Sequence, residues 1–371
     1  MKTIVQLENE YKELVSSFKE ALKKAEKDEK VRVEARKLAQ RSLGAAIEIR
    51  RRYEELSVEK EEFVTNCQAY DRQVTKWQEQ LERLGSPMSG IPNTTFDDIA
   101  GLDEVKEAIK NYLFALKNPE VAKAYNISTN VGMLMYGPPG TGKTLIAEAI
   151  AHELGVRFFV ITPSSIFGSY VGESERNVRD IFAELRACED GAVLLVDECE
   201  SIFGKRTGET NRAAIGVANQ LLQEMNGAGD GGTGRRVIIG ATNMPENIDE
   251  AYLRYKRFSM QFFIDMPSDE ARLKVIDMKL SKLPHEESVR EAMIEKLDGT
   301  YTCADISGII EQCAYRAMEE YRKTCEGKRG KHEPVKINLS HFDEVLRGFS
   351  KSVTPELIAK YRAFHAARTK K

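Results

Sequence analysis

The segment Gly137-Pro-Pro-Gly-Thr-Gly-Lys-Thr144 has the residue types and spacing of a phosphate-binding loop. It follows an apolar run from Met133 to Tyr136 and precedes a helical run, which is the context in which G-x-x-x-x-G-K-T binds nucleotides. Glycines let successive amides point at phosphate oxygens, and the helix N-terminus adds positive charge. We expect Lys143 to reach the β- and γ-phosphates of ATP and the Thr144 hydroxyl to hold Mg²⁺. The predicted nucleotide-binding residues of this loop are Pro139, Gly140, Thr141, Gly142, Lys143, Thr144 and Leu145.

Two acidic residues follow a second apolar run. The run from Gly191 to Val196 predicts a strand buried on both faces, and Asp197 and Glu198 come directly after it. Ligands of open α/β sheets bind at the carboxyl ends of the strands, so we expect both carboxylates to lie near the phosphate loop. We assign Asp197 to Mg²⁺, through a water, and Glu198 to polarising the water that attacks the γ-phosphate.

One asparagine and two arginines complete the candidate chemistry. An apolar run that starts at Val237 ends at Asn243, which at the same sheet edge would face the γ-phosphate and orient the attacking water. Arg254 and Arg257 are three residues apart, so both could project toward one anion. Taken alone, Asn243 could equally be a turn residue, and the two arginines could be solvated or paired in salt bridges.

The elements that must position these residues read as strands alternating with helices. This pattern predicts an α/β fold in which helices flank a parallel sheet. We expect a large α/β subdomain at residues 94–267 and a smaller helical lid at residues 268–371. The nucleotide is expected to lie between the two.

Residues 1–84 predict a separate helical module. Glycine occurs there only at Gly44, and proline is absent. Apolar residues recur in steps of three and four from Ile4 to Ala25 and from Phe63 to Leu84, which is typical of helices with one apolar face. A three-helix bundle and a long antiparallel coiled coil both fit, and the apolar faces indicate either a core or a groove for a partner. Residues 85–93, GSPMSGIPN, predict a linker.

Composition argues against several classes of protein. Lysine and arginine number 55 against 58 aspartate and glutamate, a net charge of -3, so overall charge favours no polyanion and we expect no nucleic-acid partner. The six cysteines form no C-x-x-C pair, which favours reduced thiols. No apolar run approaches the length of about 18 residues that a membrane span needs, and the start does not read as a signal peptide. We therefore expect a cytoplasmic protein with no integral membrane segment.

Six motifs occur in a fixed order along the chain: FDDIAGLDEVKEAI, GPPGTGKT, SYVGESERNVRDIF, LLVDECESIFGKR, GATN and ADI. Over about residues 95–365 this set resembles the ATPase cassette of the AAA family. The closest likeness is to the meiotic branch: katanin, spastin, fidgetin and the vacuolar sorting ATPase that disassembles ESCRT-III filaments. The resemblance implies an AAA+ core with a small helical lid. It also implies hydrolysis of ATP, with Mg²⁺, at the subunit interfaces of a homo-oligomeric ring, by likeness a hexamer.

The resemblance assigns further residues to the nucleotide. The segment that flanks adenine in the family is matched by Asp98, Ile99 and Ala100. Alanine at position 100 stands where the family commonly has glycine. Ala304 and Asp305 match a motif of the lid in which Cys303 replaces the usual glycine. After Phe258 the family usually has a further arginine, whereas residues 259–261 here are Ser-Met-Gln.

The resemblance also assigns residues to the ring. Tyr170 and Val171 match the aromatic loop that lines the central pore and grips the substrate chain, and residues 208–212 match a second pore loop less closely. Arg254 and Arg257 become candidate arginine fingers, which a neighbouring subunit inserts against the transferring phosphoryl group.

Three functional classes follow from this reading. The leading one is a motor that takes apart protein filaments or complexes, recruited through the N-terminal helices. A second is an unfoldase that feeds a protease, although the chain ends in Arg368-Thr-Lys-Lys371 and not in the hydrophobic tail such rings use. A third is a nucleic-acid motor, which the balanced charge and the absence of a base-reading module disfavour.

Overall fold

The structure is a computed structural model. It describes residues 3–25, 88–127, 132–167, 173–186, 190–205, 212–227, 235–253, 257–325 and 333–369, with Cys188 and scattered positions between 35 and 53 and between 66 and 76. In these stretches, none of the helices combines the length and the apolar character of a bilayer span.

Helices and strands alternate after residue 88. The strands are β1 (Met88–Ser89), β2 (Met133–Tyr136), β3 (Arg157–Ile161), β4 (Gly191–Val196), β5 (Arg235–Thr242) and β6 (Met260–Phe263). The helices up to β5 are α1 (Ile4–Ala25), α2 (Asp103–Lys117), α3 (Pro119–Ala124), α4 (Lys143–Leu154), α5 (Pro163–Ile166), α6 (Glu173–Arg186), α7 (Glu200–Phe203) and α8 (Arg212–Gly227). After β6 come α9 (Asp269–Leu280), α10 (Glu287–Lys296), α11 (Cys303–Cys325), α12 (Leu339–Gly348) and α13 (Pro355–Thr369).

The chain divides into two compact units. The first contains Met1–Pro92 with Gly155–Ile161, and the second contains Asn93–Leu154 with Thr162–Lys371. In the first unit, α1 buries Leu7, Leu14 and Phe18 at steps of seven and four, which lie on one face of a helix. β1 and β3 pair antiparallel in the same unit.

Three helical segments meet at Glu8 of α1. The Glu8 carboxylate accepts hydrogen bonds from the hydroxyls of Tyr53, at 2.9 Å, and Tyr70, at 3.3 Å. The rings of these two tyrosines stack with centroids 5.9 Å apart. The described residues between 35 and 53 and between 66 and 76 are helical, so this contact joins three helical segments of the first unit.

The second unit is built on parallel strands in the order β4-β5-β2-β6. Every residue of β2 and β4 is buried, as expected for strands covered on both faces. α4 packs against β4 and β5. The predicted α/β fold with a parallel sheet flanked by helices is confirmed, and the period of the apolar runs is the reason it could be predicted.

Helices α9 to α12 form a second core within this unit. α11 contacts α9 and α12, and α10 also contacts α9 and α12. The core that they share is apolar, with Leu280, Met293, Ile306, Ile310 and Phe342 at 2% exposure or less. This cluster is the helical lid that the sequence predicts at the C-terminal end.

Candidate functional site

Strand register brings the predicted motifs to one edge of the sheet. Tyr136, the last residue of β2, pairs with Thr242 at the end of β5, and Val196 at the end of β4 pairs with Gly240. The phosphate loop follows β2 directly, the acidic pair Asp197 and Glu198 follows β4, and Asn243 follows β5. Parallel strands present their carboxyl ends on the same side, so the chemistry is gathered there by topology alone.

A cavity of about 460 Å³ opens at this edge. It is lined by residues 98–100, by residues 139–145, and by Asp197, Asn243 and Ala304. All the residues that were predicted to bind the nucleotide therefore surround one space, together with Asp197 and Asn243. Its volume is within the range of pockets that bind small molecules, about 300–1,000 Å³.

The backbone of the loop is shaped by glycines. Gly137 has φ +150°, and a Cβ there would lie 2.1 Å from the carbonyl oxygen of Ile264. A residue with a side chain would therefore fit only if the backbone after β6 moved. Gly142 has φ +101° and faces open space inside the loop. α4 begins at the next residue, so its free amides point into the cavity, as an anion site requires.

Lys143 is held inside the loop. It is only 8% exposed, and its Nζ donates hydrogen bonds to the carbonyl oxygens of Gly137, at 3.0 Å, and Pro138, at 2.8 Å. Burial lowers the pKa of Lys143 to about 8, although the charges of Asp197 and Glu200 act in the opposite direction. The ammonium is therefore desolvated and would gain from an anion in the cavity.

The residues at the metal position fit Mg²⁺. Thr144 is exposed to the cavity and Asp197 also lines it, which supplies a hydroxyl and a carboxylate oxygen. Asp197 Oδ1 accepts a hydrogen bond from the amide of Glu198 at 2.9 Å. The described residues contain no group of three or more His, Cys, Asp or Glu that could hold a metal. Mg²⁺ usually takes one or two protein ligands and completes its shell with phosphate and water, so this sparse oxygen set suits it.

Asn243 presents an unsatisfied polar atom. Its Oδ1 is buried and has no hydrogen-bond partner, a condition that costs free energy unless a ligand or water fills it. Glu198 has φ 48°, unusual for a residue with a side chain, and is exposed beyond the strand end. Its side chain is not among those that line the cavity.

The chain is similar in sequence to known ATPases and their relatives. A family model described as "ATPase family associated with various cellular activities (AAA)" matches residues 133–266. Cell division protein C of Sulfolobus acidocaldarius is 33% identical over 285 residues, which are 75% of this chain and 73% of that protein. The chain belongs to the AAA family.

Two further relatives agree with the resemblance to the meiotic branch. Fidgetin-like protein 1 of Drosophila melanogaster is 31% identical over 287 residues, and spastin of Danio rerio is 33% identical over 269 residues. The matches cover 76% and 72% of this chain. They cover 54% and 46% of the relatives, so the chain spans about half the length of each.

The lid of this AAA chain adds residues that sequence reasoning missed. Val275, Met278, Lys279 and Lys282 line the cavity from α9 and the turn after it. The last three of these residues lie three, four and seven positions after Val275, so all four share one helical face. This spacing is visible in the sequence, but it does not indicate what the face covers. Two of the four are lysines, so this wall adds positive charge opposite the phosphate loop.

The Ala-Asp motif joins the lid to the phosphate loop. The amide of Ala304 donates to the carbonyl oxygen of Gly140 at 3.0 Å, and a Cβ on Gly140 would lie 2.8 Å from that of Ala304. Asp305 is buried and accepts a hydrogen bond from the amide of Thr302 at 2.9 Å, which caps the start of α11. Cys303 also lines the cavity, and burial raises the pKa of its thiol to about 11.

Asp98, which also lines the cavity, is held by hydrogen bonds to Thr95. Its carboxylate accepts hydrogen bonds from the amide and the hydroxyl of Thr95, both at 2.8 Å. These bonds lower the pKa of Asp98, and the charges of Lys282 and His152 add to the effect.

The residues predicted to act between subunits or in a pore are described only in part. Arg257 does not line the cavity of its own chain. Its Nη1 donates to the carbonyl oxygen of Ala251 at 2.7 Å, and its guanidinium lies 5.9 Å from the centroid of the Tyr252 ring. Arg254, Tyr170, Val171 and residues 208–211 lie outside the described residues, while Arg212 begins α8.

Proposed function

We propose that the chain is an ATP-hydrolysing motor that acts as a ring on protein substrates. The observation that carries the ATPase part is the single cavity at the strand ends. It unites the phosphate loop with Asp197, Asn243 and the lid residue Ala304. The AAA family to which the chain belongs is a family of ATPases, which supports the same chemistry.

Binding of ATP is proposed to exchange one set of hydrogen bonds for another. Lys143 donates hydrogen bonds to two carbonyl oxygens of its own loop. A triphosphate would offer charged oxygens in their place, and charge-assisted bonds in a buried site are stronger than neutral ones. Residues 98–100 would flank the adenine, and α9 would cover it from the lid. Mg²⁺, held by Thr144 and through water by Asp197, would neutralise phosphate charge.

Hydrolysis is proposed to need two groups at the carboxyl ends of β4 and β5. Glu198 would accept a proton from the attacking water, because it follows the metal-side Asp197 and extends beyond the strand. Asn243 would orient this water, since its buried amide oxygen has no other partner. The two side chains leave neighbouring strands, so they can approach one water from two directions.

The active form is proposed to be a homo-oligomeric ring, by family likeness a hexamer. Arg257 is excluded from the cavity of its own chain, which suits a finger that acts on a neighbour's nucleotide. Arg254 is the second candidate. A planar cation that stabilises the transferring phosphoryl group contributes about 10³ to 10⁵ in rate in other nucleotide hydrolases.

Protein remodelling is proposed through the pore and the helical module. Tyr170 and Val171 would grip a polypeptide, and lid motion on hydrolysis would move them along the ring axis. The helices of residues 1–84 would recruit the substrate, which we propose to be a protein filament or complex in the cytoplasm. The similarity to fidgetin-like protein 1 and spastin supports an ATP-dependent remodelling motor as the general class of protein.

Replacing Glu198 with glutamine tests the ATPase proposal. We expect Glu198→Gln to bind a fluorescent ATP analogue as tightly as the wild type and to lower kcat by about 10²–10⁴-fold, because only the general base is lost. Steady-state phosphate release and equilibrium fluorescence measure the two quantities. Glu295→Gln, which neutralises an exposed acid on α10, is the matched control and should leave both unchanged. A wild-type chain that neither binds nor hydrolyses ATP would refute the proposal.

Replacing Tyr170 with alanine tests the pore proposal. We expect Tyr170→Ala to hydrolyse ATP at the wild-type rate but to lose threading, because the aromatic grip acts on substrate and not on nucleotide. A fluorescent reporter protein with an unstructured tail supplies the readout, since threading abolishes its fluorescence in an ATP-dependent way. Tyr125→Ala, which removes an aromatic side chain that is 75% exposed, is the control and should retain threading. Equal threading by Tyr170→Ala and the wild type would contradict the pore assignment.

A further inference from the structure

The last helix, α13, lies against the sheet edge that carries the site. His365 Nδ1 is 2.8 Å from the hydroxyl of Tyr136, the residue that precedes the phosphate loop. The His365 ring also stacks on Phe263, the last residue of β6, with centroids 4.8 Å apart. Arg362 Nε donates to Asp265 Oδ2 at 2.9 Å, two residues farther on. The helix therefore contacts the carboxyl end of β2, which leads into the phosphate loop, and the carboxyl end of β6.

The same helix is attached to the loop that begins at Asn243. The hydroxyl of Tyr361 donates a hydrogen bond to the backbone carbonyl oxygen of Asn243. One residue earlier, Lys360 Nζ donates to Glu246 Oε1 at 2.5 Å. Tyr361 is only 5% exposed, whereas Lys360 is on the solvent side. A buried and an exposed contact thus fix the loop at two points.

The buried contact has a direct consequence for the Asn243 side chain. The amide group leaves the same residue whose carbonyl is held, so fixing the peptide limits the positions that the amide can reach. Groups that orient a reactant must be held to within about 0.5 Å of the productive geometry. Oδ1 of Asn243 has no hydrogen-bond partner of its own, so the backbone tether from Tyr361 is one constraint on its position.

The chemistry of Tyr361 suits a permanent donor. Burial raises the pKa of Tyr361, and the negative charges of Glu246 and Glu200 act in the same direction. The phenol therefore keeps its proton, and the hydrogen bond to Asn243 does not depend on pH in the physiological range.

The upstream end of the segment is attached to the lid. Ser352 Oγ donates to Asp305 Oδ1 at 2.5 Å, and Asp305 caps α11 beside Ala304. Val353 and Ile358, both buried, pack on Met266 between the two attachment points. Residues 352–361 thus connect the start of the lid helix to the loop that presents Asn243.

We propose that Tyr361 is a positioning residue for ATP hydrolysis, which holds the backbone of Asn243 so that its amide can orient the attacking water. The inference rests on the proposed ATPase function and adds to it an element outside the nucleotide cavity. It assigns α13 a role in turnover and none in binding, because no residue of α13 lines the cavity.

Removing one oxygen atom tests the inference in the full chain. We expect Tyr361→Phe to lower kcat by roughly 10-fold, the effect of about 1.4 kcal/mol on the barrier, while KM and the dissociation constant for ATP stay at wild-type values. Tyr315→Phe on α11, a tyrosine that is 55% exposed, is the matched control and should leave kcat unchanged. Thermal melting monitored by circular dichroism checks that both variants are folded.

A double-mutant cycle separates positioning from general destabilisation. If Tyr361 acts through Asn243, Tyr361→Phe lowers kcat in the wild-type background and has no further effect in an Asn243→Ala background. An equal loss in both backgrounds, a rise in KM with kcat unchanged, or a wild-type kcat in Tyr361→Phe would each overturn the inference. A wild-type chain that does not hydrolyse ATP would instead overturn the proposed function, so the two failures are distinct.

Discussion

At the scale of single residues, Lys143 combines a strong sequence signal with a pKa that burial lowers to about 8. The motif predicts its position, but it does not predict that the ammonium donates to the carbonyl oxygens of Gly137 and Pro138. Those bonds depend on the curl of the loop and on burial, which only the folded backbone fixes. The pKa of about 8 is a result of that burial.

The lowered pKa of Lys143 predicts that ATP binding depends on pH. In the free protein this lysine loses its proton as pH rises through about 8, whereas bound phosphate would favour the charged form and raise the pKa. Binding above pH 8 must then take up a proton, so affinity should fall by up to about 10-fold per pH unit and stay nearly flat between pH 6.5 and 7.5.

Titration calorimetry in buffers of different ionisation enthalpy measures this proton uptake. We expect close to one proton per ATP at pH 9 and almost none at pH 6.5. Lys143→Arg is the control, because an arginine does not titrate in this range and its proton uptake should be negligible at either pH. Equal affinity at pH 7 and pH 9 in the wild-type chain would contradict the assignment of Lys143 to the phosphates.

For Asn243 and Glu198, the sequence predicts the position in the fold but not the local geometry. Both positions follow predicted strands, so their place at the sheet edge could be anticipated from the apolar runs. The unsatisfied Oδ1 of Asn243 and the positive φ of Glu198 could not, because they arise from the packing around the strand ends. The catalytic roles of both residues stay predictions until turnover is measured.

At the scale of elements, the alternation of strands and helices was enough to predict the parallel sheet. The order β4-β5-β2-β6 was not predictable from the apolar runs, since periodicity states what is buried but not which neighbour buries it. Order matters here because β2 lies between β5 and β6, which places the phosphate loop beside the loop of Asn243. Crossover connections that return to the same sheet produce this arrangement.

The two helices that sequence reasoning undervalued are α9 and α13. α9 has two apolar positions and one basic position that line the cavity, and α13 has aromatic residues facing the strand ends. The contact between Tyr361 and Asn243 joins residues 118 positions apart, and that between Tyr136 and His365 joins residues 229 apart. Such long-range pairs leave no periodic trace in the sequence, so only the fold identifies them.

At the scale of the whole molecule, the proposed function calls for an arginine that the described lining of the cavity does not supply. The described residues that line it supply Lys143 on the phosphate side and two lysines from the lid, but no arginine. Arg257 is bound instead to the Ala251 carbonyl and lies over the Tyr252 ring. Membership of the AAA family and this placement together favour an arginine that reaches the nucleotide of a neighbouring subunit.

A mixing experiment tests whether Arg257 acts between subunits. Arg257→Ala subunits keep their own base but offer no finger, and Glu198→Gln subunits offer a finger but lack the base, so each variant alone should hydrolyse ATP at least about 10²-fold more slowly than the wild type. In a ring assembled from equal amounts of both, roughly a quarter of the sites combine an intact Glu198 with a neighbour's Arg257. ATPase activity should therefore reappear on mixing, and its dependence on the ratio of the two variants should peak near equal amounts.

The alternative, an arginine that acts within its own chain, makes the opposite prediction. Every subunit in the mixture would then lack either Glu198 or Arg257, and no ratio would restore turnover. Lys205→Ala, which removes an exposed cation outside the cavity, serves as the control partner for Glu198→Gln and should give activity that falls in proportion to its dilution. Because restoration needs two chains to build one site, it would also establish by function that the active species is an oligomer.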